Sequence, residues 1–121
     1  MPRKYVCGCH NVRKNRFIEP SLLVLLWQRP AHGYELLGEL EAQGFHDGPP
    51  DPGLVYRTLR HMEEFKLVRS KWETSDSGPA KRLYQITEKG KKYLRIWVEV
   101  LRQRSTVLGN ILQQYEQTAN L

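Results

Sequence analysis

The sequence predicts a mostly helical α+β fold, with three short helices, a two-stranded hairpin and one long terminal helix. Three features of the chain support this prediction. Apolar residues recur at helical spacing in three segments before residue 66, and alternation with a period of two follows over 68–74 and 82–86. A further helical pattern runs from residue 87 to about residue 115. Periods near 3.6 mark amphipathic helices, whereas a period of two marks strands with one buried face.

Composition and charge limit the possible classes of protein. The 121 residues are 40% hydrophobic and 26% charged, which is typical of a single globular domain and not of a disordered chain. The net charge of +6 and the pI near 9.5 favour an anionic partner such as nucleic acid. The longest apolar run, residues 22–27, is too short to span a membrane. No apolar segment follows the basic N-terminus within its first fifteen residues, so a secretory signal is not expected. Because Cys7 and Cys9 are too close for a disulfide framework, the cytoplasm is the expected compartment.

The first two helices supply much of the predicted core. Pro20 suits the first turn of a helix that Pro30 ends, and this helix should lie inside because residues 22–27 are apolar on every side. A second helix is expected over residues 33–43, with Gly44 as its C-terminal cap. Its inward-facing residues are expected to be Tyr34, Leu36, Leu37 and Leu40.

The third helix has two chemically different faces. Asp51 can cap it and Pro52 suits its first position. The residues expected to be buried are Val55, Leu59 and Met62. The opposite face carries an aromatic hydroxyl, two arginines and a titratable ring, from Tyr56, Arg57, Arg60 and His61. Such a face is suited to lie against a polyanion, although an ordinary solvated helix can have the same composition.

The hairpin and the terminal helix complete the predicted architecture. Val68, Ser70, Trp72 and Thr74 share one face of a first strand, residues 75–79 form a turn, and Tyr84 and Ile86 face inward on a second strand. Thr87 then caps a helix on the order of 40 Å long. Three helices followed by a hairpin is the order of a winged helix-turn-helix, a DNA-binding architecture. We therefore expect a basic arm at 1–16, a winged helix-turn-helix domain at 17–86, and a dimerisation helix with its tail at 87–121.

The terminal helix has more apolar surface than a domain of this size can cover by itself. Its apolar residues are Tyr93, Leu94, Trp97, Val98, Leu101, Leu108, Ile111, Leu112 and Tyr115. A second copy of the chain would bury this stripe, which predicts a twofold dimer. The alternative is a helix folded back wholly on its own domain.

In a DNA complex the two exposed basic regions would have different roles. Arg57 and Arg60 could bind phosphates or form a fork with guanine, and Tyr56 could donate its hydroxyl to a phosphate. Lys81 and Arg82 would lie at the end of the hairpin tip, where a wing meets the DNA backbone or the minor groove. Tyr56 could instead be a core residue, and a solvated hairpin tip is the alternative for the two wing cations.

One cluster has the chemistry of metal ligands, and it comprises Cys7, Cys9 and His10. Zinc usually takes four such ligands, so His32, His46 or a partner subunit would have to supply another. The alternative is an unstructured arm with two incidental thiols. The sequence contains no Ser-His-Asp pattern, phosphate-binding Gly-rich loop or paired-His motif, so neither an enzyme nor a cofactor is expected.

Several segments resemble the PadR-like transcriptional regulators, in the order in which that family has them. Residues 22–26 (LLVLL) and 30–37 (PAHGYELL) resemble the opening of the family domain. Residues 51–59 (DPGLVYRTL) followed by Leu67 and Val68 resemble the recognition helix and the first wing strand. Residues 77–87 (SGPAKRLYQIT) with Gly90 resemble the wing and the start of the dimer helix. The resemblance covers roughly residues 17–115 and is similar to the short branch of the family, which has a single terminal helix.

The resemblance implies a homodimeric winged-helix repressor that releases a double-stranded DNA operator when a small molecule binds. By position, Tyr56 and Arg57 would belong to the DNA-facing helix, and Lys81 and Arg82 to the wing. Leu54 departs from the family pattern, which commonly has Thr or Ser there, and this removes one hydroxyl from the expected DNA contacts.

The resemblance also implies where an effector would bind. In such dimers, aromatic side chains of the terminal helix often line the space between the subunits. Trp97, with Tyr93 and Leu101 beside it, is therefore the candidate site for a planar apolar ligand. Plain core packing is the alternative for Trp97, and it is the expectation for Trp27 and Trp72.

Two other functions compete with the operator-binding repressor. A metal- or thiol-redox-responsive regulator would use Cys7, Cys9 and His10 as its switch. A winged-helix module that binds protein and not DNA would leave the basic face solvated or docked on an acidic partner.

Overall fold

The fold consists of four helices and a small antiparallel sheet. A computed structural model describes residues 17–46, 48–75 and 78–120. The elements, in chain order, are α1 (Ile18–Gln28), β1 (Ala31–His32), α2 (Gly33–Ala42), α3 (Pro52–Glu64), β2 (Val68–Ser75), β3 (Gly78–Ile86) and α4 (Glu88–Ala119). The predicted mostly helical winged helix-turn-helix with a long final helix is confirmed. The predicted arm, residues 1–16, lies outside the described residues.

The core forms where α1 is enclosed by the other elements. Leu22 and Leu23 are fully buried, and α1 contacts α2, α3, β3 and α4. The buried stripe of α3 is the predicted one, since Val55, Leu59 and Met62 are all inaccessible to solvent. A helix that is apolar all round is stable only when neighbours cover every side, and α1 has such neighbours.

Local capping explains where α2 and α3 begin and end. The Gly44 N–H donates to the Glu41 carbonyl at 3.1 Å and the Phe45 N–H to the Leu40 carbonyl at 2.9 Å, the pair of bonds of a Schellman motif. This motif requires a left-handed residue, and Gly44 has φ of 69°. At the start of α3 the Asp51 carboxylate accepts the Gly53 N–H at 3.1 Å. Both predicted caps are therefore confirmed.

The sheet has a third strand that the sequence did not predict. Its order is β1-β3-β2, and the two residues of β1 pair antiparallel with β3 through Ala31 and Tyr84 and through His32 and Leu83. Two residues are too few to show an alternating pattern, so only the tertiary pairing defines this strand. It ties the connection between α1 and α2 to the base of the hairpin.

The hairpin is longer than predicted. Residues 75–79 were expected to form a turn, but β2 continues to Ser75 and β3 begins at Gly78, and these two residues pair after a shift of register between Glu73 and Ser75. Pro79 fits within β3 because β1 pairs only with residues 83–84, so one edge of β3 has no strand beside it at the proline. Lys81 and Arg82 consequently pair with Glu73 and Trp72 within the strands and do not lie at the tip.

Helix α4 changes surroundings halfway along its length. The Thr87 hydroxyl accepts the Gly90 N–H at 3.0 Å, which confirms the predicted cap. The 32 residues give a length of about 48 Å, longer than predicted. The first half packs on α1, whereas every described residue from 102 onward is exposed. The apolar side chains of the exposed half include Val107, Leu108, Ile111, Leu112 and Tyr115.

Three large aromatic residues were predicted to be buried and are not. Trp27 is 42% exposed, Tyr34 is 54% exposed and Trp72 is 63% exposed. Trp72 lies four residues beyond Val68 on the same face of β2, where the Arg82 guanidinium lies over its ring and most of the residue stays exposed. Tyr34 lies at the start of α2 and faces the hairpin, and Trp27 lies at the end of α1 beside α4. Helical or strand period alone cannot show where the neighbouring layer ends.

Candidate nucleic-acid interface

The exposed face of α3 carries the predicted cationic residues. Tyr56, Arg57, Arg60 and His61 are all exposed, and at 100° per residue they cover an arc of about 140° on the side opposite the buried stripe. No carboxylate within the described residues forms an ion pair with Arg57 or Arg60. A ligand would therefore not have to displace a carboxylate to contact either arginine. Leu54 is partly buried against the core and lies next to His61 on the helix, about 20° beyond the edge of this arc.

Tyr56 is fixed by a close approach to α2. A Cβ built on Gly33 would overlap the Tyr56 ring and would lie 2.9 Å from its Cζ atom. The ring is 37% exposed, so Tyr56 is neither a core residue nor a fully solvated one. Glycine at position 33 allows the aromatic ring of Tyr56 on α3 to lie directly on the first turn of α2.

The two wing cations lie on aromatic rings. Lys81 Nζ is 4.6 Å from the centroid of the Tyr34 ring, and the Arg82 guanidinium carbon is 5.0 Å from the centroid of the Trp72 ring. Arg82 also lies 3.9 Å from a Glu63 carboxylate oxygen. A cation over a ring face is held by the ring quadrupole, which orients it without cancelling its charge. The wing therefore presents oriented positive charge beside α3.

An open cleft of about 350 Å³ separates the start of α2, the middle of α3 and the hairpin. It is lined by His32, Gly33, Tyr34, Tyr56, Arg60, Trp72, Ala80, Lys81, Arg82 and Tyr84. Three of these described lining residues are basic and none is acidic. Burial raises the pKa of Tyr84, so the hydroxyl of this lining residue stays neutral at ordinary pH. His61 is not part of the cleft; it lies at the far edge of the α3 face, with its ring 4.8 Å from that of Phe65.

His32 joins α2 to the hairpin. Its Nδ1 lies 2.8 Å from Glu35 Oε1 and its Nε2 lies 2.7 Å from Glu73 Oε1. The His32 backbone N–H also donates to Glu35 Oε1 at 2.8 Å, which completes a capping box on α2. This backbone hydrogen bond, followed by the bond to the ring, holds the pKa of Glu35 below its ordinary value. The bridge holds the tip end of β2 against the start of α2.

The residues predicted for an effector site pack against their own domain. The Tyr93 hydroxyl donates to Glu19 Oε1 at 2.7 Å, and this bond to a carboxylate raises the pKa of Tyr93, with burial adding to the effect. The Trp97 ring meets Phe17 edge to face, with centroids 6.1 Å apart. Leu101 is half-buried at the point where α4 leaves the domain. With these contacts Trp97 remains partly exposed.

The predicted metal cluster cannot be placed. Cys7, Cys9 and His10 lie outside the described residues, and among the residues that are described no three or more His, Cys, Asp or Glu side chains are arranged so that they could hold a metal ion. Of the two histidines considered as further ligands, His32 is bonded to two carboxylates and His46 Nδ1 lies 3.0 Å from the Gly48 carbonyl oxygen. Among the helices of the described chain, none is both long and apolar enough to cross a membrane.

Sequence reasoning missed two members of the cleft, Tyr34 and Trp72. Both residues have aromatic side chains, and both stand at positions where the helical spacing or the strand alternation predicted burial. The available signal was cross-strand chemistry: once the hairpin register is known, Trp72 faces Arg82 directly. An exposed aromatic residue opposite an arginine is a recognised cation–π arrangement, whereas a core indole would not normally face a charge.

Comparisons with known proteins agree on one family. The model of the transcriptional regulator PadR-like family matches residues 22–96. The transcriptional regulator YqjI of Escherichia coli (strain K12) is 30% identical over 115 residues, covering 87% of this chain and 54% of the relative. The chain thus spans about half the length of that curated relative.

Solved structures similar to this chain include members of the same family. A PadR-like transcriptional regulator from Bacillus cereus is 30% identical with a TM-score of 0.71, over 82% of this chain and 94% of that one. The structure of Bacillus subtilis PadR in complex with operator DNA is 18% identical with a TM-score of 0.60, over 66% of this chain and 45% of that one, and so shows likeness of fold. The chain belongs to the PadR-like family of transcriptional regulators.

Proposed function

We propose that the chain is a sequence-specific regulator that binds double-stranded DNA as a homodimer, with α3 in the major groove and the hairpin beside it. One observation carries the proposal most directly: Arg57 and Arg60 project from an exposed helix face without any carboxylate partner among the described residues. Lys81 and Arg82 extend the same positive surface onto the hairpin. The operator complex of a neighbour with the same fold supports DNA as the partner.

The basic face has the chemistry needed for both parts of DNA recognition. Arginine can form a bidentate fork with guanine in the major groove, and it can also bind phosphate. Phosphate contacts position the protein and supply salt-dependent affinity, whereas base contacts supply sequence preference. Because Arg57 and Arg60 lie near the middle of the 140° arc, we assign them to the groove, with Tyr56 and His61 at its edges.

The test compares binding of the wild type and an Arg57→Ala, Arg60→Ala variant to the duplex upstream of the protein's own gene. Gel shifts over a series of salt concentrations give the affinity and its salt slope. The slope is that of the logarithm of the binding constant against the logarithm of the salt concentration. If both arginines contact phosphates, their loss should reduce its magnitude by about 1.8, which is about 0.9 for each contact. A Lys92→Ala, Arg102→Ala variant removes two exposed charges from α4 and is the matched control.

Equal affinity and slope in the wild type and the α3 variant would contradict the proposal. That result, together with weak binding to every duplex, would favour the protein-binding module. A duplex of scrambled sequence and equal composition measures how much of the wild-type affinity is specific.

We infer the dimer from the exposed half of α4. Leu108, Ile111, Leu112 and Tyr115 are 59–68% exposed and recur at three- and four-residue spacing, which gives one continuous apolar stripe. Burying the stripe against a second copy removes this surface from water, and a twofold axis would set two α3 helices about 34–36 Å apart for successive turns of DNA. Light scattering should show a dimer that Leu108→Glu dissociates and Gln113→Glu, a charge at an exposed polar position, does not.

We further propose that the regulator is a repressor and that a planar apolar molecule releases it from DNA. Trp97 supports this, since its half-buried ring lies where α4 leaves the domain and where two copies would meet. A ligand stacked there would alter the relative position of the two copies and hence the spacing of their α3 helices. Planar aromatic compounds that weaken operator binding by the wild type should fail to do so with Trp97→Ala.

A further inference from the structure

The exposed rings of Tyr34 and Trp72 are part of the cleft and are not accounted for by the core. Both are more than half exposed, and each has a wing cation over its face. A large ring left in water is unfavourable, and two such rings bordering one depression indicate a surface that is covered in the working state.

The charge of the cleft indicates what covers it. Arg60, Lys81 and Arg82 line it, and none of its described lining residues is acidic. Glu63 touches Arg82 at 3.9 Å, at the limit of an ion pair, and Glu73 is bonded to His32. Glu35, Glu63 and Glu73 thus contact the lining residues His32 and Arg82 but do not line the cleft themselves, so the charged groups that line it are cationic.

Two hydroxyl groups of the cleft are open to solvent and have no hydrogen-bond partner among the described protein atoms. The Tyr34 and Tyr56 hydroxyls form no hydrogen bond within the part of the chain that the structure describes. Tyr56 and Arg60 belong to the face of α3 that we place in the major groove. The cleft therefore continues that face towards the strand of DNA that borders the groove.

We propose that the cleft seats the phosphodiester backbone of the bound duplex, with Tyr34 and Trp72 as DNA-contact residues that also hold Lys81 and Arg82 over the phosphates. This inference rests on the proposed DNA-binding function and extends it to two residues outside the recognition helix. A phosphate receives charge from the cations and hydrogen bonds from the hydroxyls, while the indole packs against the sugar. Because backbone contacts are the same on every sequence, the cleft contributes affinity and not sequence preference.

The experiment compares Trp72→Ala with Trp27→Ala. Each variant removes an exposed indole with a cation over it, since Lys91 lies 5.1 Å from the Trp27 ring, but Trp27 is outside the cleft. Binding to the upstream duplex and to a scrambled duplex is measured by fluorescence anisotropy. Trp72→Ala should weaken both complexes by the same factor, about two- to fivefold for loss of the cation–π contact, whereas Trp27→Ala should weaken neither.

Two further variants test the residues of the cleft separately. Trp72→Phe keeps a ring face for Arg82 and should restore most of the affinity. Tyr34→Phe keeps the ring under Lys81 and removes only the hydroxyl, so it should weaken both duplexes equally with an unchanged salt slope. Circular dichroism confirms that each variant is folded.

Three outcomes would overturn the assignment while leaving the proposed function intact. The first is a Trp72→Ala effect no larger than that of Trp27→Ala. The second is a loss confined to the upstream duplex, which would mean that Trp72 reads sequence and not backbone. The third is a Tyr34→Phe protein with wild-type affinity. Failure of the proposed function is recognised separately, because the variant lacking Arg57 and Arg60 would then bind as the wild type does.

Discussion

Gly90 makes a close contact that reverses the usual effect of alanine in a helix. It lies in the first turn of α4, where a Cβ would overlap the Leu67 carbonyl oxygen and stand 2.9 Å from Ile86 Cγ1. Ordinary contact begins at 3.4 Å. The Leu67 oxygen cannot easily retreat, because it accepts the Thr87 N–H at 3.1 Å and the Thr87 hydroxyl at 3.0 Å. The substitution Gly90→Ala must therefore move backbone and disturb the cap of α4.

The expected magnitude follows from two opposing effects. Alanine in a helix interior is normally more stable than glycine by about 1 kcal/mol. Overpacking costs about 1–3 kcal/mol, and a weakened cap adds roughly 1 kcal/mol to that loss. Because the helix-propensity gain and the cap loss offset each other, we expect Gly90→Ala to lower the free energy of unfolding by about 1–3 kcal/mol. Gly109→Ala is the same change in the same helix with nothing within 4 Å of the new Cβ, and it should raise the free energy by up to about 1 kcal/mol.

Urea unfolding followed by circular dichroism measures both variants against the wild type. All three are compared at one protein concentration, because association through α4 would make stability concentration-dependent. If Gly90→Ala proved as stable as Gly109→Ala, the packing of Leu67 against the start of α4 would not be as described and the reasoning would fail.

Two further predictions concern the contacts around α2. Gly33→Ala should displace the Tyr56 ring and weaken DNA binding several-fold, at a stability cost below about 1 kcal/mol. Gly38→Ala is the control, because a new Cβ there meets nothing within 4 Å, and it should leave DNA binding unchanged. Equal affinities of the two variants in anisotropy titrations would contradict this prediction. The lowered pKa of Glu35 should give a contribution to stability that is fully present above the ordinary value of 4.5 and is lost as pH falls through the lower folded-state pKa. Urea midpoints of the wild type and Glu35→Gln should therefore differ at neutral pH and converge in acid, and a constant difference would show that the carboxylate charge is not involved.

Much of the fold follows from local chemistry and was predictable. The Asp51 and Thr87 side chains accept backbone N–H groups at the starts of α3 and α4. Gly44 ends α2 because, without a side chain, it readily adopts the positive φ that the Schellman motif requires. The buried stripe of α3 follows from spacing alone. The cationic face of that helix was equally visible, since residues on the side opposite a buried stripe must be exposed.

The cleft was only partly predictable. Arg60, Lys81 and Arg82 were identified from charge, but Tyr34 and Trp72 were assigned to the core. Their period matched that of buried neighbours on the same element, and the pattern contains no information about how far the opposing layer extends. The short strand at residues 31–32 was missed for a related reason, because it exists only through pairing with a segment some fifty residues away.

The sequence by itself determined the order of the four helices and the hairpin, the caps of the helices, the buried stripe and the basic face of α3, and the family to which the chain belongs. Each of these depends on interactions within a few residues or on composition, and such information is written locally along the chain. Only the tertiary structure decided the hairpin register, the exposure of Tyr34 and Trp72, the bridge from His32 to Glu73, and the cleft that these residues form. These features arise between residues far apart in the chain, and their geometry is set by how the layers pack.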